Sequence, residues 1–260
     1  MSTPTTTTTT LPPKYTDSPL PLIPTPKFLT GKTDSFTIEA SHMALSHNAF
    51  IRGFNTVYQQ APRVKSPSDK IDFAGYCLAW ADCVYAHHHY EETEFFPNLD
   101  KAAGQKGLMD GAVHEHEAFQ GGLNKFKEYL EENLTEWESK ELIGIMDEFK
   151  DALHGHLRDE PGMIVELGRY STVERPIDIL GIAEAAGKKQ VNLSFMFNTL
   201  PVFFLNMETI EFEGGMWHGV FPPLNGLAKA VMLKGVPMWH SGRWRFVSCT
   251  PEGTLKDLAV

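Results

Sequence analysis

Hydrophobic side chains recur every three or four residues through the middle of the chain, which is the spacing of helices that bury one face. This pattern predicts four helices, near residues 36–60, 70–98, 104–131 and 136–168, with short polar or Gly- and Pro-containing connections between them. Short connections favour antiparallel neighbours, so we expect an all-α fold built as an up-down-up-down four-helix bundle. The aromatic residues at helical spacing are expected to lie mostly in its core: Phe50, Phe54, Tyr58, Phe73, Tyr76, Trp80, Phe119, Phe126 and Phe149.

The two ends of the chain differ in composition from the predicted bundle, which we place at residues 34–170. Residues 1–33 are rich in Thr and Pro and lack periodicity, so they are expected to form a flexible tail. Residues 171–260 contain many Gly, Pro and aromatic residues. We expect one short helix at 174–188, followed by irregular or short-strand structure that packs its aromatic side chains onto the bundle.

Two predicted helices carry a histidine and a glutamate four positions apart, His87 with Glu91 and His156 with Glu160. Residues at this spacing lie on the same face of an α-helix, so each pair can offer two metal ligands side by side. Imidazole nitrogen together with carboxylate oxygen suits a first-row transition metal, and bundles build di-iron sites from such side chains on facing helices. A single pair of this kind is more often a surface contact, but two pairs favour a metal site.

Two further histidines, His47 and His116, lie at a matching depth. Each is about eleven or twelve residues from the start of its predicted helix, whereas the two His/Glu pairs lie about seven to twelve residues before the end of theirs. In an antiparallel bundle these distances are measured from the same end, which places all four contributions in one layer roughly 10–18 Å from that end.

Neighbouring residues remain open as ligands in case a helix register shifts by one position. At most one or two of the three consecutive histidines at 87–89 can face the bundle interior. Glu115 is expected to be solvated. The open candidates are His88, His89, His114, His154 and Glu92.

The amino-acid composition limits the binding partners and the cellular compartment that we expect. The formal net charge is −10, which argues against nucleic-acid binding, because phosphate contacts need clustered Lys and Arg. No apolar run approaches the roughly twenty residues that span a bilayer, and the first residues do not resemble a secretory signal. The three cysteines, Cys77, Cys83 and Cys249, form no CxxC pair, so we expect reduced thiols in a cytoplasmic protein. Phosphate-loop, dinucleotide and nucleophile-elbow motifs are missing from the sequence.

Four segments together resemble the hemerythrin-like (HHE cation-binding) proteins, in the version common in filamentous fungi: MALSHNAFIRGFNTVYQQAP, HHHYEETEFFP, HEAFQGGL and HLRDEPGMIVEL. The resemblance spans about residues 40–168 and continues weakly through FEGGMW…FPP and WRF. It implies a pair of iron ions bridged or flanked by the two glutamates; a single metal, manganese or no metal are the alternatives. The implied ligands are His47, His87, Glu91, His116, His156 and Glu160.

Gln120 departs from the pattern of this family, whose members often have histidine four residues after the position of His116. An amide is a poor iron ligand, so the site would have one protein ligand fewer or would hold its second metal weakly. An open coordination position favours O2 activation over reversible oxygen carriage. We expect a substrate pocket there, formed by Gln120 with Trp217, His218 and Trp239 of the C-terminal section.

These observations favour a non-haem di-iron oxidoreductase that acts with O2 on a small organic molecule, and the resemblance suggests a role in fungal secondary metabolism. The residues beyond the bundle favour an enzyme, because an oxygen carrier needs only four helices. The alternatives are a non-catalytic oxygen- or iron-binding or redox-sensing protein, and a metal-free pathway enzyme on the same bundle. The sequence leaves the oligomeric state open.

Overall fold

The computed structural model describes residues 13–224 and 226–260. Regular structure in this part of the chain is helical, and β pairing is confined to two isolated bridges, Lys14 with Asp257 and Cys249 with Leu255. The α-helices are α1 (Pro26–Thr30), α2 (Ser35–Gln60), α3 (Pro67–Tyr90), α4 (Phe96–Ala103), α5 (Asp110–Glu132), α6 (Ser139–Glu166), α7 (Ile179–Gln190), α8 (Leu193–Asn198), α9 (Leu200–Leu205), α10 (Gly226–Ala230) and α11 (Ser241–Trp244). Shorter π-helical and 3₁₀ segments are Glu91–Phe95, Leu167–Tyr170, Phe212–Gly215, Val231–Gly235 and Val236–Met238.

The four long helices form the predicted bundle, so the expected all-α fold is confirmed. Helix α2 packs against α3 and α6, and α5 packs against the same two helices, which closes the four into a ring. Side chains cap the starts of the first two: Asp34 accepts from the backbone of Thr37 at α2, and Ser66 accepts from the backbone of Asp69 at α3.

The helix predicted at 70–98 is interrupted. Helix α3 ends at Tyr90, a π-helical turn occupies Glu91–Phe95, and α4 then runs to a left-handed Gly104. Phe96 donates its backbone N–H to the carbonyl of Glu91, five residues earlier, instead of four. Pro97, at the start of α4, has no N–H to give to the ordinary helical pattern, and the wider turn accommodates it.

The aromatic core follows the prediction except at Tyr58, which is half-buried. Buried side chains form two hydrophobic clusters at different depths of the bundle. One contains Phe50, Phe54 and Trp80, and the other contains Phe36 and Phe95. Five of the six predicted ligands are also buried, namely His47, Glu91, His116, His156 and Glu160. The three cysteines are free and buried, with Cys77 and Cys83 on α3.

Residues 13–33 differ from the expected flexible tail, whose first twelve residues lie outside the described part of the chain. The side chains of Asn48 and Asn55 on α2 each pair with both backbone groups of one tail residue, Ile23 and Leu20 respectively. Such an amide imitates a β-strand partner, so the segment is held along α2 without forming a sheet. Its composition gives no sign of this anchoring, because the partners are polar side chains on a predicted helix.

The C-terminal section packs onto one side of the bundle. The short helix expected at 174–188 is α7, which begins after the capping residue Asp178. Short helices take the place of the expected short strands, and α9 and α11 pack on α3. The buried Asn206 bonds to the hydroxyl of Tyr76 and to the backbone of Ser248, which ties the section to the bundle.

Among the described residues, no helix combines the length and apolar composition that crossing a bilayer requires. The cytoplasmic location and the absence of nucleic-acid partners stay predictions, as do the boundaries drawn between the three parts of the chain.

Candidate metal centre

The six predicted ligands converge in one layer of the bundle. The side chain of His87 is 11% exposed, and the other five are buried. The imidazole Nε2 atoms meet in pairs, with 3.2 Å between those of His47 and His87 and 3.2 Å between those of His116 and His156. Histidines from four different helices therefore lie close enough to bind the same metal ions.

The donor atoms form two overlapping groups in which all lie within 4.8 Å of one another. We name them by their histidines. The two-histidine group consists of His47, His87, Glu91 and Glu160. The three-histidine group consists of His88, Glu91, His116 and His156.

The two glutamates of the layer each lie near histidines of both groups. Glu91 Oε1 is 2.9 Å from Nε2 of His87, and its Oε2 is 3.6 Å from Nε2 of His116. Glu160 Oε2 is 3.2 Å from Nε2 of His47 and 3.6 Å from Nε2 of His156. Carboxylates in these positions can bridge two metal ions, one in each group.

Hydrogen bonds on the outer ring nitrogens orient two of the histidines. His47 donates from Nδ1 to the carbonyl oxygen of Leu157 at 2.7 Å, and His116 donates from Nδ1 to Glu92 at 2.7 Å. An imidazole that donates from Nδ1 can offer the lone pair of its Nε2 to a metal ion. Both rings therefore point the nitrogen that can bind a metal toward the layer.

Pro161 helps to fix the orientation of His47. It lies inside α6, four residues after Leu157, and has no N–H to bond to the Leu157 carbonyl in the usual helical pattern. That carbonyl accepts from His47 instead. The sequence DEPG thus creates the acceptor that sets the tautomer of a ligand on another helix.

The residues fit a metal ion. Both carboxylate oxygens of Glu91, both of Glu160 and Nε2 of His88 are buried without a hydrogen-bond partner. Burying several unsatisfied acceptors together is strongly unfavourable, and a bound cation satisfies all of them. Imidazole nitrogens with carboxylate oxygens form a donor set suited to iron, manganese or zinc.

The electrostatic environment agrees with this fit. Burial lowers the pKa of His87 and His88 well below the usual range and lowers the pKa of His156 to about 2. These rings are neutral and available as ligands. Burial, with the neighbouring charge of Glu160, raises the pKa of the Glu91 carboxyl well above its usual range. A cation in the layer favours the ionised carboxylate and so reverses that effect.

His88 supplies the imidazole that the sequence left uncertain. Its ring centroid is 4.3 Å from that of His116 and 5.0 Å from that of His156. Gln120 is exposed and belongs to neither group. His88 therefore offers a donor in place of the histidine that position 120 lacks. The sequence did indicate His88 as a possible donor, because His88 and Glu92 repeat the four-residue spacing of His87 and Glu91.

Two carboxylates outside the groups orient the histidines. Besides the bond from His116 to Glu92, His156 donates from Nδ1 to Glu115 at 3.1 Å. Glu115 was expected to be solvated, and no spacing rule connects it to a residue on α6. His114 and His154 lie outside both groups; the first pairs with Glu117 at the surface and the second bonds to a backbone carbonyl.

A small open cavity lies beside the three-histidine group, between α3 and α5. It offers about 60 Å³ to water-sized molecules. Gln120 donates from Nε2 to the hydroxyl of Tyr85, which donates in turn to Asn124, each at 2.9 Å. The lining residues are Tyr85, His88, His89, Glu92, His116, Phe119, Gln120 and Leu123.

The C-terminal residues expected in the pocket do not line this cavity. Trp217 is buried and donates to Glu213, and His218 contacts Thr209. Trp239 is 57% exposed. The reason is the direction of packing: the C-terminal section covers the side of the bundle formed by α2 and α3, whereas the cavity opens between α3 and α5.

Known proteins with similar sequences agree with this geometry. The family described as the Hemerythrin HHE cation binding domain matches residues 40–167. Dimeric xanthone biosynthesis cluster protein R11 of Cryptosporiopsis sp. (strain 8999) is 30% identical over 257 residues, which cover 97% of this chain and 95% of that protein. No solved structure matches the chain.

Proposed function

The chain belongs to the hemerythrin HHE cation-binding family, and from this premise we propose that it is a non-haem di-iron oxidoreductase that uses O2 to oxidise a small organic molecule. The observation that carries the proposal is a pair of overlapping His/Glu groups with a cavity at one side. A buried oxygen store would need the groups, but it would not need polar side chains at a cavity mouth.

Six side chains and His88 would hold two ions, with Glu91 and Glu160 between them. Two iron ions bound there would supply the redox chemistry for a net two-electron oxidation of the organic substrate by O2. The protein contributes the spacing of the donors and apolar neighbours. Phe119 lies against the ring of His156, and Phe50 lies against the ring of His87.

The cavity supports entry of small molecules. One water needs roughly 10–15 Å³ of comparable volume, so the space beside His88 accommodates a molecule the size of O2. Glu92 and Tyr85 place groups that can exchange protons at this cavity, and Phe119 and Leu123 form its apolar wall. A larger substrate would lie at the mouth, near Gln120.

The substrate class is suggested by the relative, whose name connects it with dimeric xanthone biosynthesis. For this chain we propose only the general class of substrate, a small aromatic molecule made by fungal secondary metabolism. Tyr85 and Phe119 offer the ring surfaces that such a molecule would contact.

The test is O2 consumption by the full chain after anaerobic loading with ferrous iron, with and without xanthone-type phenols. We expect uptake that depends on the phenol, with an oxidised product. Gln120→Trp, which places an indole at the mouth, should slow uptake without reducing iron content, whereas Glu117→Trp on the exposed part of the same helix should not. Reversible O2 binding without product would instead support the oxygen-binding alternative.

A further inference from the structure

The two groups of donors differ in their hydrogen-bonded surroundings. In the three-histidine group, His116 and His156 both donate their outer N–H to a carboxylate, Glu92 and Glu115 respectively. In the two-histidine group, His47 donates to a neutral carbonyl oxygen. The first group thus has one more imidazole and two outer carboxylates, whereas the second has Glu160 as an additional carboxylate among its donors.

A carboxylate that accepts a hydrogen bond from Nδ1 changes how strongly Nε2 of the same ring binds a metal ion. The charge-assisted hydrogen bond pushes electron density into the ring, so Nε2 becomes a stronger donor to a metal ion. A carbonyl oxygen fixes the tautomer but adds no charge. Partners of this outer kind commonly alter metal affinity by about 10–100-fold when they are removed.

The hydrogen bonds are not ordinary surface salt bridges. The side chains of His116 and His156 are 3% and 0% exposed, while those of Glu92 and Glu115 are 40% and 35% exposed. The burial that lowers the pKa of His156 keeps its ring neutral, so the carboxylate serves to orient and polarise it. Each glutamate reaches from the surface to one buried ring.

We propose that Glu92 and Glu115 make the two ion positions unequal, so that the three-histidine group holds its ion more tightly and the two-histidine group exchanges its ion more readily. The proposal rests on the metal centre of the proposed function but not on any reaction. Glu92 and Glu115 are positioning residues, because they act through His116 and His156.

The experiment is a titration of the metal-free full chain with Co²⁺, followed by visible absorption. We expect two binding steps of different affinity. Glu115→Gln and Glu92→Gln keep the shape and an acceptor oxygen but remove the charge, and each should weaken the tighter step by about 10–100-fold. Glu117→Gln is the matched control, because its partner His114 lies at the surface, and it should change neither step.

The assignment of the steps is checked with His47→Ala, which should abolish the weaker step and retain the tighter one. The reduction potential of the iron-loaded chain gives an independent measurement, and it should rise in Glu115→Gln. Thermal unfolding of each metal-free variant shows that the fold is retained.

Two equal steps in the wild-type chain, or equal weakening of both steps by Glu115→Gln, would overturn the proposal. If two unequal steps appear but no phenol-dependent O2 uptake is found, the proposed function fails and this inference stands. If uptake is found with equal binding steps, the reverse holds.

Discussion

At the scale of single residues, the candidate metal centre gathers buried polar atoms that a bound cation would satisfy together. The oxygens of Glu91 and Glu160 and Nε2 of His88 have no hydrogen-bond partner, and the Nε2 atoms of four further histidines lie around them. Metal binding to such a layer contributes directly to the stability of the folded chain, because the unfolded chain offers no preformed site.

Removal of one imidazole tests this coupling. We expect His156→Ala to lose stoichiometric iron, since His156 belongs to the three-histidine group and its Nε2 lies 3.6 Å from Oε2 of Glu160. Added ferrous iron should raise the melting temperature of the wild-type chain more than that of the variant. His114→Ala, at an exposed position, is the control. Equal iron content in His156→Ala and the wild type would show that the ligand assignment is wrong.

Gln120 gives a second residue-level prediction. From the sequence alone, Gln120→His is predicted to tighten metal binding by filling a missing ligand position. Because His88 already offers a third imidazole, we expect iron affinity to stay nearly unchanged while O2 uptake slows, as the new ring enters the cavity beside Tyr85. Calorimetric metal titration with parallel oxygen-electrode measurements would separate the two results. A clear gain in affinity would mean that His88 does not act as a ligand.

The ligand types and their common layer could be predicted from spacing, because i,i+4 pairs share a face whatever the exact helix rotation. The choice between His87 and His88 could not. Successive residues differ by about 100° around a helix, so both can border the interior once packing sets the rotation of α3. Glu115 was missed for a related reason: its contact with His156 joins two helices and depends on a side-chain rotamer.

At the scale of elements, two interruptions of helical hydrogen bonding support the centre. The π-helical turn begins at Glu91, where α3 ends, and Pro161 lies inside α6 directly after Glu160. Extra-residue turns of this kind occur often at functional sites. The spacing of hydrophobic residues predicted the helices themselves. That spacing continues through both interruptions without a break, so only Pro97 and Pro161 indicate the interruptions in the sequence.

Two neighbouring glycines on α5 differ in how closely they approach α6, so they can be compared as a test of this contact. A Cβ on Gly122 would lie 2.6 Å from the Cβ of Phe149, whereas a Cβ on Gly121 would meet nothing within 4 Å. We expect Gly122→Ala to lower the free energy of unfolding by about 1–3 kcal/mol through overpacking. Gly121→Ala should raise it by about 0.5–1 kcal/mol, as alanine favours an exposed helix position.

Urea unfolding of both glycine variants in the same metal state measures these differences. Similar stability changes for the two alanines would contradict the close approach of α5 to α6 at Gly122. A loss confined to Gly122→Ala would confirm it.

At the scale of the whole molecule, α2 is enclosed by segments from both ends of the chain. Residues 13–33 run along it through Asn48 and Asn55, and α9 packs on it from the C-terminal section. The bundle could be predicted from local periodicity. These enclosing segments could not, because their contacts join residues far apart in sequence. The same limit explains why Trp217 was expected at the cavity and lies elsewhere.

A dinuclear site in this layer is tested first by the iron content of the full chain after anaerobic loading with ferrous iron and removal of free metal. Two overlapping donor groups predict two irons per chain. They also predict that His156→Ala loses bound iron while His114→Ala keeps it. A chain that retains no iron, or retains the same amount when His156 is replaced, would contradict the central claim that this layer is a dinuclear metal centre.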